Sequence, residues 1–129
     1  MKRLVTVVLA LALMCLFAFS AFAAEAKKEA KSQTLTGELV DLGCYMGHGA
    51  KGDGHKECGL KCVANGMPMG LLVGPKVYVL TMDHANADPF NASKGWVSKQ
   101  VKITGPMSTK GGIQSIEVSG AELAAAPAK

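Results

Sequence analysis

Five side chains able to bind a transition metal fall within nineteen residues: Cys44, His48, His55, Cys58 and Cys62. They lie in residues 44–69, CYMGHGAKGDGHKECGLKCVANGMPM, together with Met46, Met67 and Met69. Thiolate and imidazole are the donors that zinc takes in a tetrahedral set, and thiolate also suits copper(I). Cys44, His55, Cys58 and Cys62 make a Cys3His set, with His48, at Cys-x3-His from Cys44, as the reserve ligand. The spacing is not the Cys-x2-Cys of a zinc ribbon. Met67-Pro68-Met69 offers two thioethers, which bind copper(I) but more commonly fill cores.

The same cysteines support a second chemistry. Cys44 can pair with Cys58 or Cys62 and close the intervening loop, a staple that stabilises by about 3 kcal/mol in the chain-entropy view. Three cysteines follow the leader described below, so one thiol would be left over. Two function readings therefore stand: an exported protein that captures, delivers or is stapled by zinc or copper, or a disulfide-stapled interaction module with a spare thiol and no metal.

The elements that must position these donors follow from pattern. Residues 55–65, HKECGLKCVAN, predict a short helix with Gly66 just past its end. On it Cys58 and Cys62 are four apart and share a face, and His55, three before Cys58, falls on the same side. Residues 43–54 hold five glycines and predict a loop whose tight turns bring Cys44, His48 and His55 toward one point. Five runs predict strands: 33–42 (QTLTGELVDL), 67–73 (MPMGLLV), 76–81 (KVYVLT), 99–106 (KQVKITGP) and 113–119 (IQSIEVS). Gly37 interrupts the first and marks a bulge or a close backbone approach. Phe90 and Trp96, in the connector 83–98, are expected to cap the barrel, and His84 to be exposed.

These elements predict a mostly-β chain: a small five-stranded OB-like barrel with one short helix in a Cys/His-rich insertion. The chain begins with Met1-Lys2-Arg3, an apolar run and Ala21-Phe22-Ala23, the three parts of a secretory signal peptide. The expected organisation is a signal peptide over 1–23, a flexible tether over 24–32, the barrel over 33–123 and a frayed tail over 124–129. Localisation is then periplasmic or secreted, with no membrane attachment after cleavage behind Ala23. Loss of Lys2 and Arg3 takes the net charge from +4 to +2, too mild to argue for a polyanionic partner. Nucleic acid is further disfavoured because, after the leader, only Tyr45, Tyr78, Phe90 and Trp96 could stack on bases. Haem attachment lacks Cys-x2-Cys-His, nothing suggests a nucleotide cofactor, and hydrolase chemistry lacks a nucleophile elbow. No enzymatic activity is expected; thiol–disulfide exchange is the nearest to one. The expected partners are a metal ion and a periplasmic protein.

Two resemblances bear on this. The segments TGELVDLGCYMGHG, HKECGLKC and GMPMGLLV resemble a family of small bacterial periplasmic OB-fold-like proteins with a Cys/His-rich segment, and VKITGPMSTKGGIQSIEV resembles the last hairpin of exported bacterial OB-fold proteins. This implies the barrel and export but no activity. Met67-Pro68-Met69 is similar to the M-x-M of periplasmic OB-fold copper chaperones, which implies a copper site with Trp96 folded over it. The cysteines have no counterpart there.

Overall fold

The computed structural model describes residues 31–125, so the leader, the cleavage site and most of the tether lie outside the described residues. The chain runs through β1 (Ser32–Asp41), α1 (Leu42–His48), a 3-10 turn (Asp53–His55), α2 (Lys56–Ala64), β2 (Met69–Val73) and β3 (Lys76–Met82). It continues through α3 (Asp88–Ser93), a second 3-10 turn (Lys94–Trp96), β4 (Gln100–Lys110), β5 (Ile113–Val118) and β6 (Gly120–Leu123).

Strands β1, β2, β3, β5 and β4 pair in that order, and β4 returns to β1, closing a five-stranded barrel. All the pairings are antiparallel except β3–β5, which is parallel. This is the expected OB-like barrel. The short β6 adds to β4 beyond the end of β5, from Thr104↔Gly120 to Val101↔Leu123. Ala124 still donates to the Gln100 carbonyl at 2.9 Å, so the pairing persists one residue past that strand.

Period-2 patterning selects which side chains point inward. In β4, Val101 and Ile103 are buried and Lys102 between them is exposed. They meet Leu39, Leu71, Ile116 and Val118, all fully buried. Closure depends on β1 serving two partners: it pairs with β4 up to Glu38↔Gln100 and with β2 from Glu38↔Leu72 onward. At this corner Gly37 lies so close to the Leu72 carbonyl that a Cβ would overlap it. The close approach signalled by that glycine is what lets β1 change partners.

Two crossovers leave the wall. The β3–β4 crossover carries α3 and the second 3-10 turn, and it buries Ser93 and Val97 while packing Phe90 and Trp96 against the core. The β1–β2 crossover carries α1 and α2, where one helix was expected. Among the described residues no helix is long and apolar enough to cross a membrane.

Candidate metal centre

The centre is built where β1 ends. Asp41, its last residue, is the N-cap of α1 with φ −76° and ψ 133°, and its Oδ1 accepts the Cys44 amide at 2.9 Å. A capping carboxylate satisfies an otherwise orphaned helix N–H, so strand passes into helix with no loop between. Gly49, in the left-handed region at φ 68°, ends the helix after seven residues. The expected glycine-rich loop over 43–54 is thus helical in its first half. Gly43 and Gly47 lower helix propensity, but the cap at each end outweighs that cost.

Helix α2 is seated by one small residue. A Cβ at Gly59 would come within 2.6 Å of Val97 Cγ1 and 3.3 Å of Asp41 Oδ2. Glycine there lets α2 lie directly on the barrel. Cys58 and Cys62, four apart on α2, are thereby brought to Cys44 on α1. One ligand atom from each of Cys44, Cys58 and Cys62 can be chosen so that all lie within 4.8 Å of one another. Cys44 Sγ and Cys62 Sγ are 4.0 Å apart, and all three cysteines are free thiols. Cys58 is exposed, whereas Cys44 and Cys62 are half-buried.

Behind the sulfurs stands a carboxylate–imidazole pair. Asp41 is 0% exposed, and its Oδ2 accepts from His55 Nε2 at 2.7 Å. Asp41, Cys44 and His55 form a second group at the same spacing, sharing only Cys44 with the three cysteines. The expected Cys3His set is therefore split: the three sulfurs face one centre, and His55 turns toward Asp41. A carboxylate on one ring nitrogen fixes the tautomer and orientation of an imidazole beside a metal. His48, at the end of α1, is in neither group. Met69 is buried in the core, and Met67 lays its thioether on Gly43, with its amide donating to the Cys62 carbonyl at 2.9 Å. His84 is exposed.

Spacing alone does not single out Asp41, because the glycines after it obscure the helix it caps. The available signal was an acidic residue three before the first cysteine, the spacing at which an N-cap carboxylate meets an amide.

The electrostatics favour a cation. Burial, then the Asp41 carboxylate and Cys62, push the Cys44 thiol up to about 12 from an ordinary 9.0. Burial and the Cys58 thiol also push Cys62 up, partly offset by its hydrogen bond with Cys44. For Asp41, burial alone would favour the neutral acid, but the Cys44 amide and the His55 ring outweigh it and hold the carboxyl below its usual range. The metal-free centre is thus an ionised carboxylate beside the protonated thiols of Cys44 and Cys62. A bound metal ion reverses that preference, because a coordinating thiol gives up its proton.

Scans of this chain against family models, curated proteins and solved structures return no match. The fold and site define a class by themselves: a small closed β-barrel whose first crossover holds three free thiols at metal-ligand spacing.

Proposed function

We propose that this protein captures a zinc or copper ion through Cys44, Cys58 and Cys62 and passes it to a protein acceptor. The observation that carries this reading is the grouping of three sulfurs from two helices at ligand spacing. Three protein ligands leave a coordination position open, as in metal sites that exchange a ligand, whereas purely structural zinc sites close with four. Exposed Cys58 is the ligand an acceptor's thiol reaches first. Asp41 orients Cys44 through its amide and holds the His55 ring beside it. The leader-like start supports placing this capture in the periplasm or outside the cell. No catalytic step is part of the reading.

The competing reading, a permanent disulfide staple, draws support from the short Cys44–Cys62 separation. Metal binding is favoured because all three sulfurs converge, which a single staple does not require.

The test is dialysis of anaerobically reduced protein against Zn(II) or Cu(I), followed by elemental analysis and thiol counting. The expected result is one ion retained per chain, with the thiols shielded from alkylation until a chelator is added. Retention of no ion, with every thiol freely alkylated, would overturn the reading.

A further inference from the structure

We propose that Cys44 and Cys62 are a redox-active dithiol that exchanges with an incoming disulfide through Cys58, so that the three sulfurs hold either a metal ion or a disulfide but not both. The metal half of this statement rests on the function proposed above; the exchange half does not.

The two sulfurs of the pair are 4.0 Å apart with no bond between them. They come from different helices, so a small rotation of side chains on a shared surface brings them together without unwinding either helix. The alternative pair, Cys58–Cys62, is spaced four apart on one helix. Neighbours at that spacing have Cβ atoms about 5–6 Å apart, whereas a disulfide needs about 3.5–4.5 Å. Geometry therefore selects Cys44–Cys62 as the stable product.

Exposure selects the point of attack. Cys58 is the exposed thiol of the three, and Cys44 and Cys62 are half-buried behind it. Exchange begins when the Cys58 thiolate attacks one sulfur of a disulfide RSSR, which belongs to a small thiol compound or to a protein. The R–S–S–R bond breaks, Cys58 becomes Cys58–S–S–R, and one RS⁻ leaves and takes a proton. Cys44, on the other helix and within 4.8 Å, then attacks the Cys58 sulfur and expels the second RS⁻, which is also protonated. Cys62 attacks the Cys44 sulfur, releasing Cys58 as a thiol and leaving Cys44–Cys62. In sum, two protein thiols and RSSR become one protein disulfide and two RSH. Two electrons pass from Cys44 and Cys62 to the incoming disulfide.

The product retains one of the three sulfur donors, Cys58. A single exposed thiol does not hold an ion that needed three, so oxidation releases the metal. The converse follows by linkage: an ion on the thiolates removes them from exchange. At a free metal concentration of about 100 Kd the ion-free fraction, and the exchange rate with it, falls about a hundredfold.

The test treats the reduced protein with oxidised glutathione in glutathione buffers, quenches with an alkylating reagent and maps the peptides by mass spectrometry. The expected outcome is a peptide pair linked through Cys44 and Cys62, with Cys58 alkylated. Zinc-loaded protein should react about a hundredfold more slowly under the stated excess. Cys58→Ser should still reach the linked pair at equilibrium, but at least about tenfold more slowly, because attack must reach a less accessible thiol. Persistence of glutathione on Cys58, linkage of Cys58 to Cys62, or survival of three alkylatable thiols would each overturn the exchange. Protein that forms the pair but binds no ion when reduced would overturn the metal reading and leave the exchange standing; protein that binds an ion but never forms the pair would do the reverse.

Discussion

The two crossovers of this barrel start from similar positions and end differently. Both leave a strand, make short helical segments and return. The β3–β4 crossover turns its bulk inward, with Val97 and Ser93 fully buried and Phe90 and Trp96 against the core. In α2 of the β1–β2 crossover, the buried residues are Gly59 and Val63, and α1 has none. Its sulfurs point into a shared centre instead of the core. One crossover closes the barrel; the other rests on it and presents chemistry. The second draws its order from what lies beneath it, through Gly59 on Val97 of the other crossover and Asp41 at the strand end, rather than from a core of its own.

The comparison breaks first on the barrel side. Ile116→Ala removes a fully buried side chain from the wall and should cost about 2–5 kcal/mol. Cys58→Ser, on the exposed face of α2, should leave the denaturation midpoint of reduced, metal-free protein almost unchanged while abolishing metal retention. Chemical denaturation with and without zinc measures both. Equal stability losses in the two variants would mean that the site helps hold up the fold.

Gly59→Ala tests the contact between the regions. The added methyl meets Val97 Cγ1 at 2.6 Å, and overpacking of this kind costs about 1–3 kcal/mol. Because α2 must lift, metal affinity should fall as well, and Val97→Ala in the same chain should recover part of both losses. Recovery of neither would show that α2 is not seated by this contact.

A smaller stability effect and a clear functional one are expected at Asp41. Asp41→Asn keeps a cap for α1 but removes the charge that holds His55, and loss of such an outer partner typically weakens metal affinity about 10–100-fold. Stability should fall by no more than about 2 kcal/mol, the upper range for a lost cap. Isothermal titration with zinc, beside a thermal melt, separates the two quantities.

The pH dependence is graded and has opposite signs on the two sides of neutrality. Metal binding must displace thiol protons that Cys44 and Cys62 hold tightly. Apparent affinity should therefore rise with pH, by up to about tenfold per unit for each proton released. In metal-free protein, the raised Cys44 thiol contributes stability below pH 9.0 that is lost as pH climbs toward about 12. Asp41, held below its ordinary 3.8, contributes stability above that pH that is lost as the acid range is crossed downward. Denaturation across pH, with Cys44→Ser and Asp41→Asn as controls, checks each limb.

Much of the barrel could be read from the sequence because period-2 alternation is local. Val101, Lys102 and Ile103 announce their faces without reference to any other strand. The stripe of Cys58 and Cys62 on α2 was legible for the same reason, since spacing of four fixes a shared helix face. What could not be read depends on tertiary contact. Helix α1 exists because Asp41 caps it and Gly49 ends it, against a glycine content that suggests loop. The turn of His55 toward Asp41, which leaves it beside Cys44 but outside the three-sulfur group, depends on a buried carboxylate at the strand end, and no spacing rule encodes that contact. The parallel β3–β5 pairing likewise arises from closure of the whole barrel rather than from either strand.

The most direct measurement of the shared sulfur centre is X-ray absorption at the metal edge of stoichiometrically loaded protein. The expected spectrum has a first shell dominated by three sulfurs, at about 2.3 Å for zinc, that collapses in Cys44→Ser. A first shell of nitrogen and oxygen alone, unchanged by that substitution, would contradict it.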